Sequence, residues 1–268
     1  MQEYTVFPQL RISPKKFWKE VRKENERIKG EEIITYMMKM LKKADEKPGF
    51  KISKTDLGRM ASKIKYFPGV ASYFDRINRF VEKESKGRVK LRHYVISSGL
   101  KEILNKIKIK RNFHNIFASE YYYDAYGKPC YPKLVVTDTV KTQFLFRINK
   151  GREKLDENIN EFMDEEERPI PFSNIIYIGD GLTDVPCMTV TTKNGGYSIA
   201  VFNAKLRKSI QTCKTLFKNA RVDFIAEADY CNGRELDTYI KVILKAIMAG
   251  INHYNAQRVM VRKRNMYR

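Results

Sequence analysis

Asp180 and Asp184 stand four residues apart in the stretch 175–184, which reads I-I-Y-I-G-D-G-L-T-D. The apolar run at its start has the length and composition of a strand buried in a parallel sheet. The glycines flanking Asp180 let the chain turn sharply where that strand ends. Asp180 is then expected at the strand tip and Asp184 at the start of the next helix. Two carboxylates placed so can hold a hard cation such as Mg²⁺ through oxygen. The plainer alternative is a tight turn in which Asp184 caps the helix. Four apolar residues before the loop, and glycine on both sides of the first aspartate, favour the metal.

The elements that must position this loop follow from periodicity. Residues 13–64 read as helical. Ser13-Pro14 is an N-cap followed by proline at the first helical position. Ile33, Ile34, Met37, Met38 and Leu41 repeat at helical spacing, Lys47-Pro48-Gly49 ends that helix, and Ser53 to Asp56 has the form of a capping box. These apolar stripes are core positions, not a ligand site. Phe67-Pro68-Gly69 is a turn opening a helix to about Ser85. Residues 91–96 (L-R-H-Y-V-I) then read as a strand, 97–99 as a loop and 100–107 as a helix. Residues 117–123 and 131–136 form a hairpin pattern around a turn at 124–127. A helix is expected over 139–148, an acidic surface connection over 156–171, and strands at 174–178, 198–202 and 222–226. Helices follow from Ala204 and Glu235. Short apolar strands alternating with helices imply an α/β fold, a Rossmann-like parallel sheet with helices on both faces. Ligands in such sheets bind at the carboxyl ends of the strands, where the loops 97–99 and 179–184 both lie.

Composition narrows the class. With 43% hydrophobic residues, including 15 Phe, 16 Tyr and 10 Met, the 268 residues can bury a sizeable core. No apolar run reaches the ~18 residues a membrane span needs. Residues 1–10 lack the basic flank and apolar stretch of a signal peptide. Cys130, Cys187, Cys213 and Cys231 are scattered and read as free buried thiols in a reducing cytosol. A cytoplasmic protein is expected. The net charge of +21 suits an anionic substrate and raises a nucleic-acid partner. Its cations are mostly dispersed along solvated helices. Only residues 258–268, R-V-M-V-R-K-R-N-M-Y-R, form a compact basic tail.

With these patterns in place, the chain resembles the haloacid dehalogenase-like (HAD) hydrolase superfamily, nearest to its phosphoserine-phosphatase-like members. The G-D-G-L-T-D of 179–184 is similar to that family's fourth motif. V-I-S-S-G is similar to its second, with Ser97 in the key place and Ser98 as the fallback. Lys141, in T-V-K-T-Q-F-L-F-R-I-N-K-G, takes the place of the third-motif lysine, with Lys150 as runner-up. The resemblance implies a small helical cap domain over residues 1–66 and an α/β core over 67–268. It implies Asp180 and Asp184 as the Mg²⁺ residues, Ser97, Ser98, Gly99 and Lys141 as the phosphate-binding residues, and Lys141 as a catalytic group. A small phosphorylated substrate and no membrane partner go with it. Taken alone, Ser97 would read as a helix cap and Lys141 as a solvated lysine; their joint order with 179–184 is what singles them out.

One part of the family's pattern is missing. Its first motif, D-x-D-x-[TV] on a central strand, carries the aspartate that forms an aspartyl-phosphate and the general acid/base. No Asp precedes Asp45 in this sequence. Without that strand, the strands ending at Ser97 and Gly179 lose a shared neighbour, at roughly 1–3 kcal/mol for each buried backbone group left unpaired. The implied activity is thus a Mg²⁺-dependent phosphomonoesterase, silent in these residues. The alternatives are a phosphate-ligand or protein-binding module on the same fold, and nucleic-acid binding through the basic tail.

Overall fold

Helix starts fall where local chemistry sets them. In the computed structural model, which describes residues 2–47 and 52–266, the Oγ of Ser13 accepts from the Lys16 N–H and Pro14 opens the second helix. Ser53 and Asp56 form the reciprocal capping box. In chain order the elements are α1 (Gln2–Leu10), α2 (Pro14–Ile28), α3 (Glu32–Asp45), α4 (Lys54–Arg59), α5 (Val70–Ser85), β1 (Tyr94–Leu100), α6 (Lys101–Leu104), β2 (Asn115–Tyr123), β3 (Pro129–Leu134), α7 (Val140–Lys150), β4 (Ile176–Gly179), α8 (Val185–Lys193), β5 (Tyr197–Phe202), α9 (Arg207–Lys218), β6 (Phe224–Glu227) and α10 (Glu235–Met266). Helix α1 has no counterpart in the sequence reading. It contains Pro8, which contributes no N–H, and it is held by tertiary packing, with Val6 and Phe7 fully buried. Of the expected stop at Lys47-Pro48-Gly49, the last two residues lie outside the described residues.

The chain divides into two compact units. The first comprises residues 1–65 and 92–144. Its sheet has the order β1-β2-β3, with β1 parallel to β2 and β2 antiparallel to β3. The turn 124–127 returns the chain directly, so β3 must run antiparallel. The apolar stripes of α1 to α4 share one core with Leu100, Ile103, Ile107 and Tyr121. Phe7, Phe17, Trp18 and Tyr36 interlock there at centroid separations of 4.5–6.0 Å. Helix α3 is pinned to the sheet by two hydroxyls: Tyr36 donates to the Ser98 carbonyl and Tyr121 to the Met37 carbonyl, both at 2.9 Å.

The second unit comprises residues 66–91 and 145–268. Its sheet β4-β5-β6 is wholly parallel, as its continuous apolar strands require. The turn at Phe67-Pro68-Gly69 packs on the segment before α10. Gly69 has φ +75°, and a Cβ there would stand 2.3 Å from the Cys231 nitrogen, so only glycine fits. Arg76 of α5 reaches Asp237 of α10 at 3.0 Å and the Tyr230 carbonyl at 2.7 Å. The connection after α7 is tied down by Arg147, whose guanidinium donates to the carbonyls of Arg152, Lys154, Leu155 and Glu157.

Three expectations are corrected. The strands form two three-stranded sheets rather than one; β1 and β4 each lie at an edge, with one strand neighbour among the described residues, which agrees with the expected loss of a shared neighbour. Residues 97–99 are not a loop after the strand. They lie inside β1, where the register slips between Ser97 and Leu100, and the helix expected over 100–107 is the single turn Lys101–Leu104. Of the four thiols, all free, Cys187 and Cys213 are buried, Cys231 is half-buried and Cys130 is exposed on β3.

Candidate active site

The carboxyl end of β4 carries the acidic loop, and its geometry follows from one glycine. A Cβ on Gly179 would sit 2.6 Å from the Asp184 Cβ and 2.7 Å from its Oδ2. The missing side chain is therefore what lets Asp184 fold back over the strand end. Once there, Asp184 is 5% exposed. Its Oδ1 accepts from the Tyr177 hydroxyl at 2.8 Å and its Oδ2 from the Asp180 N–H at 3.1 Å. Asp184 stands at the N-cap position of α8 but its side chain does not cap the helix. The plain helix-cap reading fails for that reason: the carboxylate is turned to the loop instead.

Asp180 is placed differently. It is exposed at the strand tip, its N–H held by Asp184. Its negative charge reaches two neighbours. Burial first, and then the charge of Asp180, push the Tyr230 hydroxyl up to about 12 and raise the Cys213 thiol. Tyr177 is raised by burial and then by the adjacent Asp184 carboxylate, so it stays protonated and donates. The structure thus brings Asp180 and Asp184 together as one exposed carboxylate and one fixed beneath it.

These residues fit part of a Mg²⁺ shell. Mg²⁺ takes hard oxygen donors and keeps several waters, so one or two carboxylates suffice from the protein. Asp180 offers an exposed carboxylate at the strand tip. Both oxygens of Asp184 are engaged, which suits orientation of the loop rather than direct ligation. Among the described residues no group of three or more His, Cys, Asp or Glu could hold a metal.

Ser97, Ser98, Gly99 and Lys141 lie in the first unit. The Gly99 N–H donates to Ser97 Oγ at 3.0 Å, an Asx-like local turn that leaves the hydroxyl hydrogen free to donate outward. Lys141 sits at the start of α7 with 5% exposure. It is not a solvated helix lysine; a buried ammonium is tolerated only when partnered. Lys150, the runner-up, donates to the carbonyls of Ile159 and Glu161, so its charge is used in holding the acidic connection.

Two buried residues, one in each unit, escape the sequence reading. Tyr177 interrupts an aliphatic strand, and a buried hydroxyl in such a run needs a partner; that was the available signal. Glu102 gives no signal, being one acidic residue at a helix start. It is 4% exposed, its Oε1 accepting from the Tyr121 N–H and the Tyr123 hydroxyl, both at 2.9 Å. Burial pushes its carboxyl above the usual range.

Comparison with known proteins finds likeness in sequence and in fold. No family model matches the chain. An uncharacterized protein of Borreliella burgdorferi is 31% identical over 202 residues, which cover 69% of this chain and 68% of that protein. Among solved structures, a HAD family hydrolase of Salmonella enterica serovar Typhi superposes with a TM-score of 0.54 at 15% identity. The match covers 89% of this chain, which spans only 64% of that hydrolase. At that identity the likeness concerns the fold: the α/β architecture is that of a HAD-type hydrolase. No helix among the described residues is long and apolar enough to cross a membrane.

Proposed function

We propose a function for a chain that belongs to the same family as the Borreliella burgdorferi protein and has the fold of HAD-type hydrolases. It is a Mg²⁺-dependent phosphoric monoester hydrolase scaffold of the phosphoserine-phosphatase-like kind. The aspartate that would take the phosphoryl group is not among residues 1–268, so these residues alone are silent. The observation that carries the reading is the loop at the end of β4. An exposed Asp180 at a strand tip, its N–H held by a buried Asp184 that Gly179 makes room for, can supply one carboxylate to a hard cation that keeps most of its waters.

Bound at Asp180, Mg²⁺ would neutralise charge on a phosphate ester. Asp180 supplies the carboxylate, and Asp184 with Tyr177 fixes its backbone. Within the first unit, Lys141 is the residue that the family resemblance assigns to phosphate oxygens, as a point positive charge. The Ser97 hydroxyl, in the same unit, is the donor that the resemblance assigns to the phosphate; positioning and electrostatics carry most of the catalysis in phosphoryl transfer. The helical residues 1–66 act as the cap that selects the organic part of the substrate, which is a small phosphorylated molecule of the cytoplasm.

The test is a fusion. The chain as given should release no phosphate from an aryl phosphate. Adding an apolar strand ending in D-x-D-x-T upstream should produce Mg²⁺-dependent release, and Asp180→Ala should abolish it. A restored protein that folds yet stays inert across phosphoesters, with Asp180→Ala leaving Mg²⁺ binding by calorimetry unchanged, removes the enzyme reading. Calorimetric binding of Mg²⁺ or a phosphate ester without turnover would favour the non-catalytic binding module.

A further inference from the structure

Helix α10 is 32 residues long, and its two halves have different surroundings. In the first half Leu236, Ile240, Ile243, Leu244, Ile247 and Met248 are buried. From residue 252 to residue 264 every position is exposed. Those 13 residues make about 20 Å of helix with no side of it packed on the second unit. From Thr238 to Arg268 the sequence holds no Asp or Glu. Arg258, Arg262, Lys263 and Arg264 fall in the exposed half, and among the described residues none has an acidic partner. A bare cationic helix gains nothing from folding, since packing supplies most helix stability in proteins; a polyanion would supply what the rest of the chain does not.

We propose that this half of α10 docks in the major groove of duplex DNA through phosphate contacts, without sequence selectivity. Three features favour that partner. At about 100° per residue, Arg258 and Arg262 lie some 40° apart, and Lys263 and Arg264 fall about 100° and 200° further on. The cations therefore point to several sides. A groove presents phosphates on both walls and meets such a distribution, whereas a membrane surface needs one basic face and one apolar face. Val259, Met260 and Val261, all exposed, are spread round the helix in the same way and give no apolar face. Second, an α-helix with side chains is ~10–12 Å across, which matches the ~12 Å major groove of B-form DNA and not the narrow one of A-form RNA. Third, single-stranded binding relies on aromatic platforms, and Tyr254, the one Phe, Tyr or Trp among the described residues after residue 250, faces the Arg258 guanidinium at 5.7 Å. The net charge of +21 adds long-range attraction to the same partner.

The full chain is titrated against a fluorescent 20-base-pair mixed-sequence DNA duplex, followed by anisotropy at 50, 100 and 200 mM salt. With four cations releasing counterions, log K should fall against log salt with a slope near −3.6, a loss of roughly 100-fold across that range. The variant R258Q/R262Q/K263Q/R264Q should keep its far-UV circular dichroism and lose most of both the affinity and the slope. Equal binding by that variant, no binding at 50 mM salt, or a slope near zero overturns the proposal. So does tighter binding to a duplex RNA of the same sequence, or to vesicles containing phosphatidylglycerol, since each replaces the groove with another partner. If the variant misfolds, the slope measured on the unaltered chain still decides.

Discussion

Gly179→Ala is the sharpest probe of the acidic loop. The new methyl group would meet the Asp184 Cβ at 2.6 Å, its Cγ at 2.7 Å and its Oδ2 at 2.7 Å, all inside the distance at which carbon atoms tolerate one another. Asp184 has to move, because β4 is held in register with β5 from Ile176 to Gly179. Overpacking of this kind costs about 1–3 kcal/mol. The shift also loosens the two hydrogen bonds that Asp184 accepts, each to a charged group and worth about 1.5–3 kcal/mol. A total of about 3–5 kcal/mol is expected, large against a typical stability of 5–15 kcal/mol. Urea unfolding followed by far-UV circular dichroism reads it as a lower midpoint. The double variant Gly179→Ala with Asp184→Gly separates the parts: it removes the Cβ in the way but forfeits the carboxylate. If the clash is the cause, the two changes are strongly non-additive and the double variant is no worse than Asp184→Gly alone. A loss below about 0.5 kcal/mol for Gly179→Ala, or simple additivity, would refute the account of why the loop needs glycine there.

Two further outcomes follow from buried titratable groups. Burial lowers the pKa of His93 from 6.5 to about 4, so the unfolded chain takes up a proton that the folded chain refuses between those values. Its stabilising effect is complete above pH 6.5 and is lost as pH falls toward 4, by up to about 3 kcal/mol; urea midpoints at pH 7.5 and 4.5 should differ much less in His93→Gln, and parallel profiles would sink the claim. Asp237, whose side chain is fully buried, pairs with Arg76 at 3.0 Å and Lys241 at 2.7 Å, and Asp237→Asn should cost about 3 kcal/mol by leaving two cations without their counter-charge; a thermal midpoint within a degree of the parent would show that solvent already screens them.

Much of the architecture was legible in the residues. Ser13-Pro14, the box at Ser53–Asp56 and the turn at Pro68-Gly69 mark helix starts through local hydrogen bonding and fixed backbone angles, and the structure has all three. The strand before Asp180 and the hairpin around 124–127 follow from apolar runs and turn residues in the same local way. Helix α1 was not legible: a helix containing Pro8 has poor local credentials, and its existence rests on Val6 and Phe7 reaching a core built by residues far away in sequence. The division into two three-stranded sheets was likewise a tertiary decision, since strand pairing depends on which neighbours are present. At the candidate site, spacing alone put Asp180 and Asp184 in one loop. That Asp184 is buried under Tyr177 with both oxygens engaged, while Asp180 stands exposed, was set by the close approach over Gly179. Sequence determines which groups can meet; only the packing of the chain determines which of two similar carboxylates is buried and which stands exposed.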